Sequence, residues 1–134
     1  MRTPLKTVCI KGIVFSGKGE GAKFIGFPWV KKQVTEKLGF TPHLGTLNLK
    51  LTKDDLNLRA LLRNAEAIQI SPAKGYSHGK CFKAKITDNL ECAIVVPETQ
   101  DYPKDMIEVI APTNLREKLQ LRDGDTVEIR ILVE

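Results

Sequence analysis

The chain has little cysteine, few aromatic residues and no long apolar run. Its three cysteines include no CxxC pair, so the sequence predicts neither a disulfide framework nor a zinc knuckle. No apolar stretch approaches the roughly 18 residues of a membrane-spanning helix, and the first twelve residues lack the apolar centre of a secretory signal peptide. These absences favour a reduced, cytoplasmic protein with no membrane partner.

The length predicts the number of domains, and the distribution of charge indicates the kind of ligand. A chain of 134 residues suits one domain over residues 1–134, and we expect it to be a monomer. The net charge of +5 is unevenly spread, because residues 1–40 carry eight Lys or Arg against two Glu and residues 41–134 carry thirteen against fourteen acids. Such a concentration suits an anionic ligand such as a nucleotide, RNA or DNA, and a solvated basic face explains it equally well.

The apolar pattern predicts a mainly β fold. Seven short runs are rich in Val, Ile, Thr and Phe and are bounded by Gly, Pro or Asp. They cover residues 6–15, 45–51, 66–71, 80–87, 91–97, 105–112 and 125–134. Two segments have helical spacing instead, residues 29–40 with a stop at Gly39 and residues 112–121. Frequent strands with two brief helices predict a small six-stranded β-barrel rather than a βαβ sheet.

Residues 14–24, "VFSGKGEGAKF", have the glycine density of a phosphate-binding loop. A P-loop is excluded because no Ser or Thr follows a Gly-Lys pair at the required spacing. Gly17, Gly19 and Ala22 satisfy the looser dinucleotide pattern, which must open a helix. Residues 22–30 contain a glycine and a proline and predict a short strand there, so the dinucleotide fold is excluded as well.

Two interpretations of the glycine segment remain open. Alternating glycines let the backbone turn successive N–H groups toward one anion, and Lys18 and Lys23 would add positive charge. The alternative is a glycine-rich hairpin between two barrel strands.

The segment "GTLNLKL", residues 45–51, has strict alternation of apolar and polar side chains. Its three leucines face one way, so Thr46 and Asn48 face the other way together. A hydroxyl and a carboxamide offer neutral oxygens to a hard cation such as Mg²⁺, with water and phosphate oxygens completing the shell. A half-buried strand with one polar face has the same pattern and is the commoner explanation of it.

Four segments taken together carry a family resemblance. They are "SGKGEGAKF", "LGFTPHLGTLNLKL", "AIVVPETQDYPKDMIEVIAP" and "LREKLQLRDGDTVEI". In order and spacing, from Gly12 to Ile131, the chain resembles the archaeal CTP-dependent riboflavin kinases. The resemblance implies a cradle-loop β-barrel that transfers the γ-phosphate of CTP to the 5′-hydroxyl of riboflavin. The products are FMN and CDP, and a divalent metal, normally Mg²⁺, takes part.

The resemblance also implies roles for particular residues. The metal ligands of the family fall on Thr46 and Asn48, and its flavin contacts fall on Glu108 and on Gln100, with Thr99 as the alternative to Gln100. The nucleotide-binding residues fall on Gly17, Lys18, Gly19, Glu20, Gly21, Ala22, Thr113, Asn114, Leu115 and Arg116. A helix that begins at the second nucleotide segment would present free N–H groups, and Arg116 would reach a phosphate or a cytosine edge.

The sequence departs from the family at two of these positions. Ala22 stands where the family often has Arg, so Lys18 or Lys23 must supply that charge, and Gln100 stands where the family has Thr. No residue is assigned as the catalytic base, and Glu108 is kept as a helper, because phosphoryl transfer depends mostly on positioning and charge stabilisation.

Two other functions share features with this sequence. A basic barrel that binds nucleic acid, like the swapped-hairpin transcription factors, shares the phrase "LRDGDTVEIRI", but only one Arg lies in the first 40 residues and no nucleic-acid partner is expected. A flavin or nucleotide carrier without turnover uses the same binding groups as the enzyme. His43 and His78 are assigned to the solvated surface and left out of the site.

Overall fold

The computed structural model describes residues 6–16, 25–43, 45–53, 57, 62, 68–70, 79–87, 89–97 and 105–133. Within these ranges the chain forms seven strands and two helices. The strands are β1 (Lys6–Phe15), β2 (Leu47–Leu51), β3 (Ile68–Ile70), β4 (Gly79–Ile86), β5 (Leu90–Pro97), β6 (Met106–Ile110) and β7 (Thr126–Val133). The helices are α1 (Pro28–Leu38) and α2 (Leu115–Leu119). None of the helices in the described ranges has the length and apolar composition needed to cross a bilayer.

Six of these strands close into an antiparallel ring. The order is β4-β5-β6-β2-β1-β7, and β7 pairs back with β4 through Ala84–Ile86. The short strand β3 pairs with the other end of β4, opposite Gly79–Cys81. The predicted mainly β, six-stranded barrel with two helices is confirmed, and each strand lies within a run predicted from the sequence or extends it by one residue.

Alternation along the strands fills the interior of the barrel with branched aliphatic side chains. Ile94, Ile107, Ile129 and Ile131 are fully buried there, together with the leucines of β2. Burial of one such side chain contributes roughly 1.5–3 kcal/mol, so the interior cluster is the main source of the stability of the barrel.

Helix α1 covers the outer face of the barrel and forms a second apolar cluster there. Its buried residues Val30, Val34 and Leu38 repeat every four positions and pack in one cluster with Val95 and Ile110 of β5 and β6. The helix ends where Gly39 adopts the left-handed conformation with φ of 84°, a conformation that glycine enters without steric cost. The predicted stop at this glycine is confirmed.

The expected strand over residues 22–30 is wrong within its described part. Ile25 and Gly26 are helical, and Pro28 opens α1. Proline is suited to the first position of a helix because its φ is already fixed there and its missing N–H would have no intrahelical acceptor. The dinucleotide fold remains excluded, since the strand pairs of the ring are antiparallel. Residues 17–24 lie outside the described ranges, so the anion-binding and hairpin interpretations of the glycine segment both stay predictions.

The three cysteines are free thiols in different environments. Cys9 is exposed on β1, whereas Cys81 and Cys92 are buried on β4 and β5. Burial raises the pKa of both buried thiols to about 12, because the thiolate loses its hydration. These two residues therefore act as small apolar side chains.

Gly12 marks a close approach between β1 and β2. A Cβ atom placed on Gly12 would lie 2.8 Å from the Cβ of Leu49, which is itself fully buried. Gly12→Ala is expected to lower the free energy of unfolding by about 1–3 kcal/mol, because the barrel wall must shift to admit the methyl group. The measurement is a thermal or urea melt.

The matched control for Gly12→Ala is Gly26→Ala. A Cβ atom on Gly26 would meet nothing within 4 Å, and Gly26 is helical, so this substitution is expected to leave stability unchanged or to raise it slightly. Equal melting temperatures for the two variants would contradict the steric explanation.

Candidate functional site

The predicted site residues of β2 and β6 lie on the outer face of the barrel. The burial of Leu47, Leu49 and Leu51 directs these leucines inward, so Asn48 faces outward as its alternation predicted. Asn48 stands opposite Phe15 on β1 and opposite Glu108 on β6. Directly paired residues of neighbouring strands have adjacent side chains, so a metal candidate and a flavin candidate are neighbours.

A hydrogen bond joins the other metal candidate to the same carboxylate. Thr46 Oγ1 donates to Glu108 Oε1 over 3.2 Å. Glu108 is only 6% exposed and is the one charged residue in the buried set of the described chain. Because the hydroxyl proton of Thr46 is committed to Glu108, the lone pairs of its oxygen are turned away from the carboxylate and are available to a cation.

A pocket of about 150 Å³ opens at the end of the barrel where β2 begins and β6 leads into α2. Its polar wall contains His43, Thr46, Thr113, Asn114 and Arg116, and the rest is formed by Gly45, Leu47, Val109, Ala111 and Leu115. Pockets that enclose a whole drug-sized ligand measure roughly 300–1,000 Å³, so this one accommodates only part of a nucleotide. The fold therefore brings Thr46 and the predicted nucleotide segment 113–116 to one place.

The segment 113–116 has a more specific geometry than the sequence predicted. Asn114 is the N-cap of α2, and its Oδ1 accepts the backbone N–H of Glu117 over 3.2 Å. Leu115 is buried and anchors the helix on the barrel interior. A helix begins at this segment as expected, and the side chain of Asn114 satisfies one of its first N–H groups. Thr113 is exposed at the edge of the pocket.

Arg116 is already engaged within the protein. Its Nη2 donates to the carbonyl of Phe15 over 3.1 Å and to Asp123 Oδ1 over 2.7 Å. Ser16 Oγ donates to the same carboxylate, at 2.8 Å from Oδ2. The hydrogen bonds from Arg116 and Ser16 hold the pKa of Asp123 below its usual value, so this carboxylate stays charged at neutral pH. A guanidinium has donors on all three nitrogens, and among the described residues none accepts from Nε or Nη1 of Arg116, so these donors are available to a ligand.

Several predicted residues lie outside the described ranges. They are the glycine-loop residues Gly17, Lys18, Gly19, Glu20, Gly21 and Ala22, the neighbouring Lys23, and the flavin candidates Thr99 and Gln100. Their roles stay predictions.

The structure also adds residues that the sequence did not indicate. His43 is exposed as predicted, yet it lines the pocket, and its backbone N–H bonds to the carbonyl of Ala111 over 2.8 Å. No local pattern marks Ser16 or Asp123 as a site residue, although Ser16 lies within the glycine segment, directly before Gly17. The pairing of Ser16 with Asp123 joins residues 107 positions apart and has no local signal.

The donor atoms present fit a hard cation that arrives with a nucleotide. Among the described residues, no group of three or more His, Cys, Asp or Glu side chains is placed to hold a metal. Thr46 and Asn48 offer neutral oxygens, which suit Mg²⁺ when phosphate supplies the negative charge.

Comparison with known proteins agrees with this geometry. A family model described as CTP-dep_RFKase, domain of unknown function DUF120, matches residues 14–131. The riboflavin kinase of Archaeoglobus fulgidus is 41% identical over 131 residues, and that of Pyrobaculum aerophilum is 43% identical over 133 residues. These matches cover 95% and 96% of this chain but only 56% and 63% of those proteins. The chain thus spans about three fifths of the length of the relatives it matches.

Proposed function

Because the chain belongs to the CTP-dependent riboflavin kinase family, we propose that it transfers the γ-phosphoryl group of CTP to the 5′-hydroxyl of riboflavin. The observation that carries the proposal is the pocket in which Thr46 meets the segment 113–116, with Glu108 hydrogen-bonded to Thr46. Two substrates must meet at a phosphoryl group, and the proposal is supported by Thr46, which lines the pocket with the nucleotide candidates and bonds to the flavin candidate Glu108.

The reaction exchanges one bond to phosphorus for another. The 5′-oxygen of riboflavin forms a bond to the γ-phosphorus, the bond from that phosphorus to the β,γ-bridging oxygen breaks, and the hydroxyl proton is released. The products are FMN and CDP. Such transfers have a loose transition state with charge spread over the phosphoryl oxygens, so positioning and charge stabilisation lower the barrier most.

The described residues divide these tasks among them. Arg116, through Nε and Nη1, supplies positive charge at the wall of the pocket, and Thr113 and Asn114 contact the nucleotide beside it. Thr46 and Asn48 would hold Mg²⁺, which would neutralise charge on the phosphate oxygens when bound. Residues 17–22 complete the nucleotide site.

Glu108 orients the flavin in this proposal. Its buried carboxylate is paired across the strands with Asn48, so a flavin hydroxyl or ring N–H bound there lies next to the metal ligands. Thr99 or Gln100 makes the second flavin contact. No residue is required as a strong base, because the hydroxyl proton leaves late in a loose transition state.

The test is direct conversion. Purified protein is incubated with riboflavin and Mg²⁺, with CTP or ATP in parallel, and FMN is separated by chromatography. FMN from CTP is the expected product. No FMN from either nucleotide would contradict the kinase assignment, and FMN from ATP alone would contradict the choice of nucleotide.

A mobility-shift assay on duplex DNA tests the nucleic-acid alternative, for which we expect no specific complex.

A further inference from the structure

Three side chains form a network beside the pocket, which we call the Asp123 brace: Ser16, Arg116 and Asp123. Asp123 Oδ1 accepts from Arg116 Nη2 over 2.7 Å and from Ser16 Oγ over 3.1 Å, while Oδ2 accepts from Ser16 Oγ over 2.8 Å. The same Nη2 also donates to the carbonyl of Phe15. One carboxylate therefore joins the end of β1 to α2.

The backbone near the brace is held together by other bonds. Gly124 N–H donates to the carbonyl of Val14 over 2.8 Å, and Val14 N–H donates to the carbonyl of Asp125 over 2.8 Å. The backbone N–H of Leu121 donates to the carbonyl of Arg116 at the end of α2. The turn between α2 and β7 is thus attached to β1 without the side chain of Asp123.

The brace is also exposed to solvent. The side chains of Arg116 and Asp123 are 36% and 56% exposed. Exposed ion pairs contribute little to stability, because water and salt screen them. Stability therefore does not account for the two donors, Ser16 Oγ and Arg116 Nη2, that converge on Asp123, and their effect on Arg116 provides a better explanation.

We infer that Asp123 is a positioning residue for nucleotide binding, which fixes the guanidinium of Arg116 at the wall of the pocket. This inference rests on the proposed function. Free arginine side chains adopt many rotamers, and ordering one upon binding lowers affinity. Asp123 and the Phe15 carbonyl order Nη2 beforehand, which leaves Nε and Nη1 in a fixed direction for an anionic phosphate group.

Asp123→Asn tests the inference, because asparagine keeps the shape and one acceptor but loses the charge. The KM for CTP is expected to rise about 10-fold, the equivalent of one charge-assisted hydrogen bond. We expect kcat to stay within about 2-fold, the pattern of a lost binding contact. The KM for riboflavin and the melting temperature should not change. Ser16→Ala, which removes the second donor, should shift the KM for CTP in the same direction by less.

A double-mutant cycle separates positioning from a direct contact. If Asp123 acts through Arg116, then Asp123→Asn adds no further rise in the KM for CTP to a protein that already carries Arg116→Gln. Additive effects of the two substitutions would overturn the inference. The control is Lys118→Ala, an exposed lysine on the same helix, for which the wild-type KM is expected.

The outcomes distinguish the two proposals. If the wild-type protein makes no FMN from CTP, the proposed function fails. If the wild-type protein is active and Asp123→Asn keeps the wild-type KM for CTP, the brace alone fails. Loss of folding in Asp123→Asn would also overturn the inference, because it would make the carboxylate a structural group.

Discussion

Replacing Thr46 by Val and Asn48 by Ala together is expected to lower the kcat for FMN formation by about 100- to 1,000-fold, because a bound divalent cation contributes several kcal/mol to the stabilisation of a transferring phosphoryl group. Valine keeps the shape of threonine and removes only the oxygen. The measurement is the initial rate of FMN formation with Mg²⁺ varied at saturating riboflavin, together with a melting curve.

Two controls sharpen this experiment. Thr46→Ser keeps the oxygen that bonds Glu108 and should retain most of the activity. Thr126→Ala removes the same kind of hydroxyl from an exposed position on β7 and should behave as the wild type. Turnover near the wild-type rate in the double variant would contradict the metal assignment, and an inactive Thr46→Ser would assign the effect to the methyl group instead.

Glu108→Gln is expected to weaken riboflavin binding by about 10- to 100-fold, since hydrogen bonds to a charged group contribute about 1.5–3 kcal/mol. Glutamine keeps the volume of this buried side chain and an oxygen that accepts from Thr46, so the substitution removes mainly the charge. Riboflavin affinity is measured by quenching of flavin fluorescence, and the KM for CTP is measured in parallel and should stay close to the wild-type value.

The matched control for Glu108→Gln is Glu128→Gln, the same change at an exposed position on β7. Unchanged riboflavin affinity combined with a higher Mg²⁺ requirement would contradict the flavin assignment. That result would make Glu108 a support for the metal ligand Thr46 instead, because the two side chains are hydrogen-bonded.

The hydrogen bond between Thr46 and Glu108 connects a proposed metal ligand to a proposed flavin contact. In the proposed site, the hydroxyl of Thr46 would offer its lone pairs to the cation while it donates its proton to Glu108. A change in flavin binding at Glu108 is therefore expected to alter the orientation of a metal ligand. In the inference drawn above, the Asp123 brace acts in a similar way on Arg116, another residue of the pocket wall.

Strands and helices were largely predictable because their signals are local. Strand β1 was predicted with its observed bounds, since this run is rich in β-branched residues and Ser-Gly follows it. The strand expected over residues 22–30 failed for a local reason too, because Pro28 after an apolar run is compatible with either a turn or a helix start. Packing of Val30 and Val34 on the barrel favours a helix over a strand in this segment.

The candidate site was predictable only in part. Alternation alone placed Thr46 and Asn48 on one face, and the family resemblance supplied the roles of the segment 113–116. The sequence around His43 and Asp123 gave no reason to place either residue at the pocket. An exposed histidine and an aspartate in a turn are common on protein surfaces.

By itself, the sequence determined the order of the strands along the chain, the inward and outward faces of β2 and the family to which the chain belongs. Each of these depends on neighbouring residues or on motif order, which the sequence displays directly. Only the tertiary structure decided that Asn48 faces Glu108, that Thr46 bonds to it and that Arg116 is held by Asp123 and Phe15. These contacts depend on the register between distant strands and on closure of the barrel, which are set by packing of the whole core rather than by any local pattern.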